Sequence, residues 1–133
     1  MNVIKKILLI AVTPICFATS VNAQNNKTYK FEPSVSIISG IIEDETFFDA
    51  NDKKVNCFVL KLDSSIRVVA DNDDELNSTT NNVTKVQLTS SSGINFSNFK
   101  NKRVRCTGTF FSSHTAHHHT KVLMSVKKIQ EIK

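Results

Sequence analysis

Tryptophan is absent from the 133 residues and tyrosine occurs once. A nucleic-acid surface normally combines interleaved aromatic rings with a strong basic excess. The excess here is mild: 17 basic residues face 12 acidic ones. No nucleic-acid partner is therefore expected. Long apolar runs are missing as well. The most extended, Ile7 to Ala18, is interrupted by Thr13 and Pro14 and falls short of the roughly 20 residues that span a bilayer, so no stable membrane insertion is expected. Lys5 and Lys6 precede this run and Val21-Asn22-Ala23 follows it. That succession reads as a secretory signal peptide over 1–23, cleaved before Gln24. A lipid anchor on Cys16 would want a small residue before it, and Ile15 stands there. The expected destination is the periplasm or the exterior.

The mature chain, 24–133, is the length of one domain and can bury a modest core without metals. Loss of Lys5 and Lys6 lowers its formal charge from +5 to +3, with 15 basic residues against 12 acidic. Residues 24–33 are polar and read as a loose lead-in. From Ser34 the pattern turns to period two with β-branched residues, the mark of a strand. Ile38, Gly40 and Ile42 share one face. Ile37 and Ile41 lie on the other, which suggests a strand covered on both sides. Glu43-Asp44-Glu45 is expected to end it, and Phe47-Phe48 to close one end of the core.

Further strands are expected over Val55 to Leu62, whose strand character resumes over Ile66 to Ala70, and over Val83 to Leu88, Val104 to Phe111 and Thr120 to Ile129. Asp63-Ser64-Ser65 reads as a turn, and Asp71 to Asn82 as a surface loop. Ile94, Phe96 and Phe99 suggest one helical turn. Glycine is scarce, and two of the three residues, Gly40 and Gly108, sit inside strands, where glycine marks a bulge or a tight bend. The expectation is an all-β domain over 34–133: a small five-stranded barrel with one short helical element, like the oligonucleotide/oligosaccharide-binding (OB) barrels. Those bind ligands with a strand face and the loops between strands one and two and strands four and five.

All four histidines fall in His114-Thr115-Ala116-His117-His118-His119-Thr120, between the last two strands. Thr115, His117, His118, His119 and Thr120 are the expected ligand-binding residues. Neutral imidazole also binds zinc, copper and nickel, so His114, His117 and His119 form an alternative metal set. No cysteine or acid adjoins them, whereas a closed zinc site wants four ligands. The plainer expectation is that one or two imidazoles bond backbone groups and fix the loop, with no cofactor required. Ser112 and Ser113 lie beside His114, but no orienting acid accompanies them, and no catalytic activity is expected. Asp71-x-Asp73-x-Glu75 lacks the glycine and distal glutamate of a calcium loop. Bases gather at Lys100, Lys102, Arg103 and Arg105. Cys57 and Cys106 form an even pair in an exported chain, which invites a disulfide. Their opposite strand phases oppose it unless a bulge reorients Cys57.

The succession Ile38-Ser39-Gly40, Phe58-Val59-Leu60-Lys61-Leu62-Asp63, Val86-Gln87-Leu88, Lys102-Arg103-Val104, Gly108-Thr109-Phe110-Phe111 and His117-His118-His119-Thr120 resembles a bacterial exported domain family of unknown function. That family carries an H-H-x-T signature before its last strand. The resemblance spans Ser34 to Ile129. It implies an OB-like domain in the cell envelope, alone or beside lysozyme-inhibitor-like modules, and it implies no reaction. The short Phe47-Phe48-Asp49-Ala50 stretch departs from the Gly-Pro-rich segment that many members carry. Together these readings give a small binding or accessory module of the envelope, with an unknown envelope protein or small ligand as partner. A transition-metal-binding protein is the alternative.

Overall fold

Every second residue from Ser36 to Ile42 is buried, the alternation that a strand packed on one face imposes. The computed structural model describes residues 26–133. The expected signal peptide, its cleavage site and Cys16 lie outside the described residues. The elements are β1 (Lys27–Lys30), β2 (Val35–Phe48), β3 (Lys54–Val69), β4 (Thr80–Thr89), a 3-10 turn (Phe96–Phe99), β5 (Arg103–Ser112) and β6 (Val122–Glu131). Among the described residues no helix is long and apolar enough to cross a membrane.

The strands form one sheet in the order β1-β3-β2-β5-β6-β4, and β4 also pairs with β3. Strands β2 to β6 therefore close a ring of five. Most neighbours are antiparallel; β4 and β6 run parallel. The core inside the ring gathers Ile38, Ile42, Leu60, Val86, Val104, Cys106, Phe110 and Met124, and Phe96 of the 3-10 turn is buried with them. The five-strand, all-β expectation with one helical turn matches this architecture.

Both strand glycines sit where backbones come too close for a side chain. A Cβ on Gly40 would run into the Lys61 carbonyl, and one on Gly108 into the Ser125 carbonyl. Gly108 also flanks a register shift between β5 and β6, the bulge that a glycine in a strand signals.

Several local expectations need correction. The polar lead-in is partly β1, which runs parallel to Ile66–Val69 of β3. That stretch lies beyond Leu62, where the β2 register ends, so β1 takes up the free edge, and Phe31 bridges onward to Phe110. Glu43-Asp44-Glu45 does not end β2, and Asp63-Ser64-Ser65 does not break β3. In both places the strand continues through the polar residues, with Asp44, Asp63 and Ser64 exposed and Glu43, Glu45 and Ser65 partly buried. The second face of β2 is open: Ile37 is 54% and Ile41 40% exposed. Phe48 closes nothing and is 62% exposed. Cys57 and Cys106 are free. Cys106 faces the core, where burial pushes its thiol up to about 12, whereas Cys57 sits half-buried in the opposite phase with no bulge to turn it inward.

Candidate functional site: the histidine loop

The loop between β5 and β6 is closed at its base. Ser112 pairs with Val122, and the Ser113 N–H donates to the Lys121 carbonyl (3.0 Å). The buried Ser112 is also held from outside: its N–H donates to Asn77 Oδ1 (2.8 Å), and its Oγ accepts from the Ser78 N–H (3.1 Å). Asn77 is in turn gripped by Asp74, whose carboxylate accepts from the Leu76 N–H, the Asn77 N–H and Asn77 Nδ2. Those bonds, led by the Asn77 side chain, hold the Asp74 carboxyl below its ordinary pKa. The acidic stretch expected to be loose is thus tied to the foot of the histidine loop.

Inside the loop a turn forms as the His118 N–H donates to the Thr115 carbonyl (3.1 Å). The His114 N–H donates to His118 Nδ1 (3.1 Å), and His114 Nδ1 donates to the Ser112 carbonyl (2.9 Å). These bonds assign tautomers: neutral His114 carries its proton on Nδ1 and neutral His118 on Nε2. The two rings meet edge to face at 4.8 Å, and both lie against Phe111. Burial, then the neighbouring His114, His117 and His119, push the His118 pKa below its ordinary value. A proton on Nδ1 would also displace the bond it accepts.

The other side of the loop is clasped by Gln87 of β4. Its Nε2 donates to the His117 carbonyl (3.1 Å), and its Oε1 accepts from the His119 N–H (2.7 Å). One side-chain amide thus serves two loop backbone groups, as a neighbouring strand would. Thr120 completes the clasp: its Oγ1 accepts from the Gln87 N–H (3.0 Å) and donates to the Val122 carbonyl (2.7 Å). Gln87 is itself buried, in register with Val59 on one side and Leu123 on the other. The His119 ring stacks on Phe47 of β2, centroids 4.7 Å apart and planes 11° from parallel. That contact joins the histidine loop to the β2–β3 hairpin.

The five expected ligand residues therefore divide. His118 and Thr120 hold the loop together. His119 gives its backbone to Gln87 and its ring to Phe47. Thr115 and His117 stand exposed at the tip. The metal set His114, His117 and His119 is not assembled, because His114 turns to His118 and His119 to Phe47. Among the described residues no group of three or more His, Cys, Asp or Glu side chains is placed to hold a metal ion. Neither nearby serine hydroxyl bonds an imidazole: Ser113 Oγ donates to the His118 carbonyl, and Ser112 Oγ faces Ser78. The basic cluster is largely neutralised, with Lys100 on Asp44, Lys102 on Glu131 and Arg103 on Asp63. Sequence reading missed Gln87, Asn77 and Phe47. Only Gln87 left a signal, as a long amide between the apolar Val86 and Leu88 of a strand.

No curated protein matches the chain. Over residues 85–130, which hold Gln87, β5, the histidine loop and most of β6, the chain is similar to the family described as domain of unknown function DUF4431.

Proposed function

We propose that the chain is a small exported binding or accessory module of the bacterial cell envelope, acting without catalysis and without a cofactor. Its contact surface is the rim made by the tip of the histidine loop and the β2–β3 hairpin. The observation that carries this reading is the Phe47–His119 stack, which joins two loops into one surface. Phe48 beside it on the hairpin and Thr115 and His117 at the loop tip are exposed. A rim held by backbone bonds and ring stacking loses little entropy when it meets a partner. OB barrels use the corresponding pair of loops.

The reading is tested by titrating isotope-labelled mature protein with a soluble envelope fraction and following backbone resonances. Phe48, Thr115 and His117 are expected to shift or broaden, and a Phe48→Ser/His117→Ala double variant with unchanged melting should lose the response. Perturbation confined to other faces of the ring, or none, contradicts the proposal.

A further inference from the structure

The β3–β4 ladder comes apart at its centre. Lys61 pairs with Lys85 and Ile66 with Val83, so the four residues Leu62 to Ser65 stand opposite Thr84 alone. Strand β4 is bent at the same place. Asn82 has a left-handed φ of +53°, and Thr84-Lys85 is pushed outward between the buried Val83 and Val86. A hollow of about 480 Å³ opens between the strands, within the size range of small-molecule sites. A second hollow of about 250 Å³ shares Thr84 and Lys85 as a wall and reaches Thr120 and Lys121 at the foot of the histidine loop.

The lining is rich in donors. Lys61 and Lys85 are direct cross-strand partners, an arrangement that destabilises a sheet unless an anion lies between the charges. Glu45 answers only one of them, at 2.7 Å from Lys85. Among the described residues Lys61 has no ion pair. The Asp63 carboxylate is held by two Arg103 nitrogens, at 2.7 and 3.3 Å. Asn26 accepts from Ser65 Oγ through its own Oδ1 (2.9 Å), which leaves its amide N–H donors for a ligand. Ser64 and Thr84 add hydroxyls, and Leu62 is the one apolar side chain of the larger hollow.

We propose that this hollow binds an acidic sugar, a polyhydroxylated ring bearing one carboxylate. The carboxylate lies at Lys61 and Asn26, and the ring hydroxyls lie on Ser64 and Thr84. A monoanion matches the single unanswered ammonium. A dianionic phosphate would bring a second negative charge towards Asp63 and Glu45. The proposal deepens the binding-module reading but uses a different wall of the ring.

The test is a backbone-resonance titration of the mature protein with glucuronic acid, glucose, acetate and glucose 6-phosphate. Glucuronic acid is expected to give saturable shifts at Ser64, Ser65 and Thr84 with a Kd of about 1 mM or tighter. Glucose, acetate and glucose 6-phosphate should each bind about tenfold more weakly or worse, and Lys61→Gln should weaken glucuronic acid about tenfold with melting unchanged. Absence of saturable shifts, an equal response in Lys61→Gln, or tighter binding of the phosphate overturns the proposal. Shifts confined to Phe48, Thr115 and His117 overturn it too, while leaving the rim reading intact.

Discussion

His118 does its work as an acceptor, and an imidazole accepts at Nδ1 only while that nitrogen is unprotonated. Its folded pKa lies below the ordinary value, so the fold favours the neutral ring. The resulting stability is fully present above the unfolded pKa of about 6.5. It is lost as pH falls through the lower folded value, because the unfolded chain takes up the proton first. Thermal melting followed from pH 7 to about pH 5 should therefore fall more steeply in wild type than in His118→Asn, whose Oδ1 can accept from His114 and does not titrate. Equal slopes would remove His118 from this role. The same bond has a modest value at neutral pH: His118→Ala should cost about 0.5–1.5 kcal/mol, read from denaturant midpoints. That some imidazole would bond backbone and fix the loop was legible in the sequence, since four histidines without an acid or cysteine lack a ligand set. Which one does so was not, because it depends on a turn from Thr115 to His118 that no residue pattern announces.

Strands, glycines and the helical turn were the legible elements. Period-two burial placed Ile38, Gly40 and Ile42 inward, and Val104, Cys106, Gly108 and Phe110 with them. The glycines announced backbone contacts that the structure shows between Gly40 and Lys61 and between Gly108 and Ser125. Gly40→Val and Gly108→Val should each lower stability by at least about 1–3 kcal/mol, the usual cost of overpacking. Glu75→Ala in the exposed part of the 71–79 stretch should stay within about 0.5 kcal/mol. Similar melting temperatures for the two groups would remove the close strand contacts from the account. The illegible elements have physical reasons. Strand β1 is four largely polar residues whose partner edge exists only because β3 runs past β2. Glu43 to Glu45 and Asp63 to Ser65 carry turn and loop chemistry, yet β2 and β3 continue through them, with Glu45 paired to Lys85 and Ser65 bonded to Asn26. Gln87 could not be read as a clasp, since its partners lie 30 and 32 positions away.

At the scale of the whole molecule, a closed ring leaves few free strand edges, and the variable parts are its loops and outer faces. The proposed export belongs to this scale, and it rests on the signal peptide expected over residues 1–23. Intact-mass measurement of the mature protein should give a chain beginning at Gln24; a product retaining Met1, or one carrying lipid on Cys16, would contradict the proposed location. The central claim is that the histidine run is a clamped part of the ring and presents a fixed rim, in contrast to a free imidazole patch. Amide hydrogen exchange at His119 in the mature protein at pH 7 tests this most directly. The account predicts that the His119 N–H, held by Gln87 Oε1 at 2.7 Å, exchanges far more slowly than the amide of exposed Ala116, and that Gln87→Ala abolishes the difference. A His119 amide that exchanges in wild type as fast as an unstructured peptide would contradict it.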